Sequence, residues 1–218
     1  MRLTFTLFFA AAILAPAQIV SFGVKAGIPL TPALPYFYDY GSNMLDTGRW
    51  TIGPTVELRL GRGFAFEVDA LYRGYSAVNT NASSQVISDG TNLVSIVPTF
   101  SSSRQNTKVW DFPLLLKYRF TAGRVHPFVA LGYTRSHESS DVNASFTCLG
   151  TADACSASNL SPYYHAFTYK GSYNHNGATA GVGVEFKYGK IKIAPEVRYT
   201  RYFQPNQNNK TLMVGFTF

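Results

Sequence analysis

The sequence predicts an all-β, antiparallel, up-and-down barrel that spans a membrane with an expected eight strands. Three observations predict it. Segments of roughly ten residues alternate between apolar and small or polar side chains, the period of a strand whose successive side chains point to opposite faces. Charged residues fall almost wholly on one parity of that alternation. The links between segments alternate short and long.

The first residues stand apart from the barrel. Met1-Arg2 is basic, Leu3 to Leu14 is apolar and uncharged, and Ala15-Pro16-Ala17 offers small residues for cleavage. That order reads as a secretory signal peptide over 1–17, with the barrel domain over 18–218. About 12 to 15 apolar residues fall short of the ~20 that a spanning helix needs, and no other stretch resembles one.

The segments then follow in order. Ile19 to Leu30 sets Val20, Phe22, Val24, Ala26 and Ile28 against Ser21, Gly23, Lys25 and Gly27. Arg49 to Leu60 sets Trp50, Ile52, Val56 and Leu58 against Thr51, Thr55, Glu57 and Arg59. Phe64 to Arg73 sets Phe64, Phe66, Val68 and Tyr72 against Glu67, Asp69 and Arg73. Trp110 to Phe120 sets Trp110, Phe112, Leu114, Leu116 and Tyr118 against Asp111, Lys117 and Arg119. Pro127 to Arg135 is weaker, with Val129, Leu131 and Tyr133 outward and Ala130, Gly132 and Thr134 inward. Ala178 to Tyr188 sets Ala180, Val182, Val184 and Phe186 against Thr179, Gly181, Gly183, Glu185 and Lys187. Ile191 to Thr200 sets Ile193, Val197 and Tyr199 against Lys192, Glu196 and Arg198. Lys210 to Phe218 sets Leu212, Val214, Phe216 and Phe218 against Thr211, Met213, Gly215 and Thr217.

Energetics chooses the face that meets lipid. A charge on the lipid side at mid-bilayer costs about 2–4 kcal/mol, and the apolar parity carries charge only at Arg201 and Lys210, both near loops. The other parity holds Glu57, Glu67, Asp69, Asp111, Glu185 and Glu196, half of the 12 acids, with Arg59, Arg73, Lys117, Arg119, Lys187, Lys192 and Arg198. Enclosed charges must be paired, so these residues are expected to form a salt-bridge network filling a narrow lumen. Trp50, Trp110, Phe120, Tyr188 and Phe218 bracket the apolar stripe as an aromatic belt.

A soluble lipocalin-like barrel is the rival, with its faces inverted. Glycine on the polar parity, the aromatic brackets and the alternating links argue against it. Gly61-Arg62-Gly63, Thr121 to Val125 and Gly189-Lys190 read as tight turns. Thr31 to Gly48, Ala77 to Thr107, Ser136 to His175 and Gln204 to Asn209 read as long loops, with Leu93 to Phe100 able to extend a hairpin beyond the membrane. Such asymmetry is that of outer-membrane barrels and puts both termini on the periplasmic side. Pro54, Pro113 and Pro195 each remove a ladder donor, so a bulge or a frayed rung is expected at each.

Phe112-Pro113-Leu114-Leu115-Leu116-Lys117-Tyr118-Arg119-Phe120, Pro127-Phe128-Val129-Ala130-Leu131-Gly132, Pro195-Glu196-Val197-Arg198-Tyr199-Thr200 and Val214-Gly215-Phe216-Thr217-Phe218 together resemble the small outer-membrane β-barrel family that includes OmpA-type and opacity-type barrels. The resemblance implies an address in the bacterial outer membrane, with lipids and lipopolysaccharide as surroundings. It also implies that the terminal aromatic strand is read by the barrel-assembly machinery.

Catalytic chemistry is sparse. His126, His137, His165 and His175 show no metal-ligand spacing, and no cofactor fingerprint occurs. His137-Glu138-Ser139 invites comparison with a nucleophilic set, but such a set must be held within hydrogen-bond reach by rigid elements, and these three read as loop neighbours. Cys148 and Cys155 read as a disulfide stapling a loop. The net charge of +7 suits anionic headgroups better than nucleic acid, given the export signal. Pro35-Tyr36-Phe37-Tyr38-Asp39-Tyr40 and Pro162-Tyr163-Tyr164 through Phe167 and Tyr169 put tyrosines where recognition surfaces use them. The expected role is a non-enzymatic barrel that supports the envelope or displays surface loops to an unknown ligand. A lipid A-modifying enzyme and a narrow porin-like pore remain the alternatives.

Overall fold

A computed structural model describes residues 19–31, 42–47, 50–88, 93–120, 125–149, 164–203 and 207–218. The expected signal peptide, Arg49, the Tyr36 to Tyr40 cluster, Cys155 and Pro162-Tyr163 lie outside these. All the elements are strands: β1 (Val20–Pro29), β2 (Ser42–Thr47), β3 (Thr51–Gly61), β4 (Phe64–Asp69), β5 (Leu71–Ser88), β6 (Leu93–Arg119), β7 (Val125–Cys148), β8 (Tyr164–Tyr188), β9 (Ile191–Tyr202) and β10 (Asn208–Thr217).

Every pairing is antiparallel, and the sheet closes on itself. β1 pairs with β10 (Val24 opposite Phe216) on one edge and with β3 (Val24 opposite Pro54) on the other. β4 and β5 are one strand interrupted at Ala70, and both pair with β6. β2 pairs with β5 above β3. The hydrogen-bonded ring therefore passes through eight strands. Closure pairs the strands on both edges within the ring, which lipid demands, while above it Tyr164–Asn176 of β8 pair with β7 alone. Phe22 and Phe218 complete the seam by exchanging backbone bonds of 3.2 and 2.9 Å.

Gly61, Arg62, Gly63 and Gly189 all have positive φ, at the two tight turns that join β3 to β4 and β8 to β9. Arg62 is the one non-glycine described there, flanked by two glycines that carry the rest of the reversal.

At each strand proline one ladder skips two residue pairs without shifting register. Pro54 stands opposite Ala70 on β3, and Pro113 opposite Asp69 on β6, so the break between β4 and β5 is flanked by proline on both sides. Pairing resumes in the same register beyond it. Ala70 still donates to the Pro54 carbonyl at 3.0 Å. Opposite Pro195, the β8–β9 ladder skips from Gly183 to Phe186 and continues unshifted.

Two of the long loops expected from the sequence are mostly strand. β5 and β6 stay paired from Leu71–Asp111 to Ser88–Leu93, and β7 and β8 stay paired from Val125–Phe186 to Thr147–Tyr164. β6 and β7 pair throughout as well. A wall of paired strands thus rises beyond the Trp50–Trp110 level. Its sequence is rich in Ser, Thr and Asn and carries no strong apolar stripe, because neither face there meets a uniform medium. The periodicity that marks a half-buried strand is then lost.

Candidate functional site

Alternation places two unlike surfaces back to back. Val24, Ile52, Leu58, Val68, Leu114, Leu116, Val129, Leu131, Val182, Val197, Leu212 and Phe216 are all exposed. Their neighbours one residue along are buried in the lumen, a soluble core turned inside out. Trp50 packs on Tyr72 (5.8 Å between centroids) and Tyr72 on Trp110 (5.2 Å), an aromatic arc at one end of the apolar band. Phe64, Tyr118 and Phe120 make a second cluster at the other end, at 4.8 and 5.0 Å. Tyr188 and Phe218 are exposed at that same turn end. Tyr72 and Tyr118, assigned from the sequence only to the apolar stripe, are the rings that join each cluster.

Inside, six carboxylates meet six cations. Arg198 reaches Asp69 (2.7 Å), Glu196 (2.9 Å) and Glu67 (3.1 Å). Lys25 contacts Glu67, Glu196 at 3.1 Å and Asp69 at 3.5 Å. Lys117 bridges Glu67 (3.2 Å) and Glu57 (3.5 Å), and Arg119 bridges Glu57 and Glu185 (2.8 Å). Lys192 lies 3.7 Å from Glu57 and donates to the Ser21 hydroxyl at 3.2 Å. Arg73 pairs with Asp111 at 3.3 Å, nearer the tall end. Buried charges are tolerable only when paired and hydrogen-bonded in this way.

Two sequence assignments shift. Lys25 was read as inward but left out of the charge set; it sits at the centre, because β1 closes the ring between β3 and β10. Lys187, placed in the network from its parity, is exposed at the turn end beyond Glu185, where the lumen opens beside Arg59, Arg119 and His126. Arg59 is near that rim too, 3.9 Å from Glu57.

Apolar side chains that the charge pattern obscured complete the filling. Leu115, Phe128 and Met213 are buried on the inward parity, and the Lys117 ammonium lies 3.9 Å from the centre of the Phe128 ring. The inward glycines answer these bulky groups. A Cβ on Gly183 would stand 2.5 Å from the Phe128 ring, and one on Gly181 would stand 2.4 Å from a Glu196 carboxylate oxygen.

Toward the tall end the lumen becomes neutral and hydroxyl-rich. Thr134, Thr179 and Thr200 form a hydroxyl ladder. Tyr202 donates to Asp111 at 3.0 Å, and Tyr75 donates to Glu138 at 3.0 Å. Burial and the Glu138 carboxylate push the Tyr75 phenol above its ordinary value.

The His137-Glu138-Ser139 triplet lies on β7, not in a loop. Successive strand residues face opposite ways, so His137 and Ser139 point outward and Glu138 inward. His137 contacts Asn174 (3.0 Å) and Ser172 (3.4 Å), whereas Glu138 is 3.5 Å from His175. The three cannot act as one nucleophilic set. No group of metal-ligating side chains occurs among the described residues. Cys148 is the buried last residue of β7 rather than a loop residue, and it is disulfide-bonded.

A family model for the outer membrane protein beta-barrel domain matches residues 3–218. No curated protein matches the chain. Among solved structures, Neisserial surface protein A is 13% identical, with 93% of this chain and 98% of that one covered and a TM-score of 0.44. OprG from Pseudomonas aeruginosa is 11% identical over 91% and 94%, at 0.47. The N-terminal β-barrel domain of OprF from the same organism is 12% identical over 92% and 98%, at 0.39.

Proposed function

This chain belongs to the family of the outer membrane protein beta-barrel domain, and from that premise we propose that it is a non-enzymatic, non-conducting anchor that holds a β-wall at the cell surface. The observation that carries this reading is the set of six paired carboxylates and six cations, packed with Leu115, Phe128 and Met213. An eight-stranded ring leaves an interior just wide enough for side chains, and here those side chains lock one another across it. A conducting path would need mobile or unpaired charge; a catalytic site would need a convergent set, which the split His137-Glu138-Ser139 triplet does not provide.

The orientation that fits puts the tight turns and both termini in the periplasm and the tall end outside. Residues 1–17 then act as the export signal, and the C-terminal strand ending in Phe218 serves as the segment read during assembly. Above the Trp50–Tyr72–Trp110 arc, the outward parity carries Arg104, Lys108 and Lys170. These cations suit the phosphates of lipopolysaccharide. The wall, not the lumen, is the working surface.

Purified barrel in planar bilayers tests the anchor, together with lipid A mass spectrometry after overexpression. The expected result is no discrete conductance and an unchanged lipid A profile. Stable conductance steps would establish the pore instead, and a shifted lipid A mass would establish the enzyme.

A further inference from the structure

Alternation continues from the lumen up the wall, so the wall has a lumen-side face with its own composition. On β8 that face carries Phe167, Tyr169, Gly171 and Tyr173, in phase with the lumen residues Thr179 and Gly181. Their cross-strand neighbours on β7 are Ala144, Val142, Ser140 and Glu138. Beyond these, β6 presents Gln105 and Thr107 opposite Val142 and Ser140.

Three features make this face a built surface. Its aromatic rings are about half exposed, Phe167 at 53%, Tyr169 at 55% and Tyr173 at 49%, well clear of the lipid band. Gly171 leaves room for the two tyrosines to lean together over it. A Cβ there would meet both rings at 3.1 Å, and the phenol oxygens stand 3.4 Å apart. Beside the rings the Gln105 amide is half-buried and donates at 3.3 Å to the buried Thr107 and Ser140 hydroxyls, which lie 2.7 Å apart, and Ser140 also donates to Glu138 at 3.4 Å. Among the described residues of β6, β7 and β8 above Trp110, the one formal charge on this face is the Glu138 carboxylate, opposite Tyr173 and held by Tyr75, while Arg104, Lys108 and Lys170 lie on the outward face.

We propose that this lumen-side face, centred on Tyr169, Tyr173 and Phe167 with Gln105 beside them, binds a neutral oligosaccharide presented from outside the cell. Sugar rings offer an apolar C–H face that lies on an aromatic platform and a rim of hydroxyls that bond to amide and hydroxyl side chains. Tyrosine supplies that platform at low entropic cost. A face whose formal charge is the Glu138 carboxylate discriminates against sulfated or acidic glycans, which would lose hydration without gaining a counter-charge. The cell's own lipopolysaccharide sits against the cationic outward face, which leaves the lumen-side face open to a ligand from beyond the membrane. The inference rests on the surface-display reading above and names the ligand class for it.

The test uses the full barrel in lipid nanodiscs on an array of neutral, sulfated and sialylated oligosaccharides. Expected is binding of at least one neutral hexose or N-acetylhexosamine oligosaccharide, weakened about tenfold or more by a Tyr169→Ala/Tyr173→Ala double variant. Gly171→Val, which drives the rings apart, should weaken it in the same direction. Asn106→Ala on the outward face of β6 should leave it unchanged. Retention of the heat-modifiable gel shift certifies that each variant is folded. Absence of neutral-glycan binding, a preference for acidic glycans, or full binding by the folded double variant would overturn the proposal. Binding of intact cells to a protein ligand in those same cases would leave surface display standing, and so separate the two readings.

Discussion

The lumen between Glu57 and Asp69 and the wall above Trp110 are made of the same strands with the same alternation, yet they differ in what fixes them. In the lower half each strand has two committed faces: hydrocarbon outside and a charge network inside. A slip of one residue would send Glu67 or Arg198 into lipid, so register is strongly specified. In the wall neither face has such a partner, and pairing between β5, β6, β7 and β8 carries the structure alone. Order in the first region comes from side chains; in the second it comes from backbone.

Substitutions can break that contrast. Arg198→Ala should be the most damaging, since it leaves Asp69 and Glu196 with Lys25 alone and Glu67 with Lys25 and Lys117; loss of one partner from a buried ion cluster costs about 3–5 kcal/mol. Urea titration of the lipid-embedded barrel, followed by gel shift, reads the effect. Leu114→Arg attacks the other face of the same region and should cost about 2–4 kcal/mol in that assay. Gly183→Val overpacks the lumen against Phe128 and Pro195 and should cost about 1–3 kcal/mol. On the wall, Thr107→Ala removes the hydroxyl that meets both Ser140 and Gln105 and should cost about 1 kcal/mol. Its effect is expected in local hydrogen exchange of β6 and β7 rather than in global unfolding.

The division also explains what the sequence disclosed. The strands of the lower half were legible because lipid imposes a stripe and enclosure imposes charge pairing; Glu57, Glu67, Lys117 and Arg198 could be placed on one face by parity alone. Parity could not say which inward charge lies at the rim, so Lys187 was assigned to the interior and Lys25 was passed over. Met213 falls on the inward parity of the last strand, but Leu115 and Phe128 stay hidden for the opposite reason: apolar residues on the polar parity read as noise until Gly183 is seen to make room against Phe128. The wall was read as loop because Ser, Thr and Asn look alike on both faces. Tyr169, Gly171 and Tyr173 carried a signal all the same. Spaced two apart, with the smallest residue between two large rings, they share one side of any strand that contains them.

A nitroxide scan along the outward positions of β6 tests the central contrast most directly. Labels at Leu116, Leu114 and Phe112 should be relaxed by oxygen and shielded from a water-soluble paramagnetic reagent. The preference should reverse from Lys108 through Asn106 to Arg104, with the Trp110 level as the boundary. Water-like accessibility at Leu114, or one uniform environment from Leu116 to Arg104, would contradict the account.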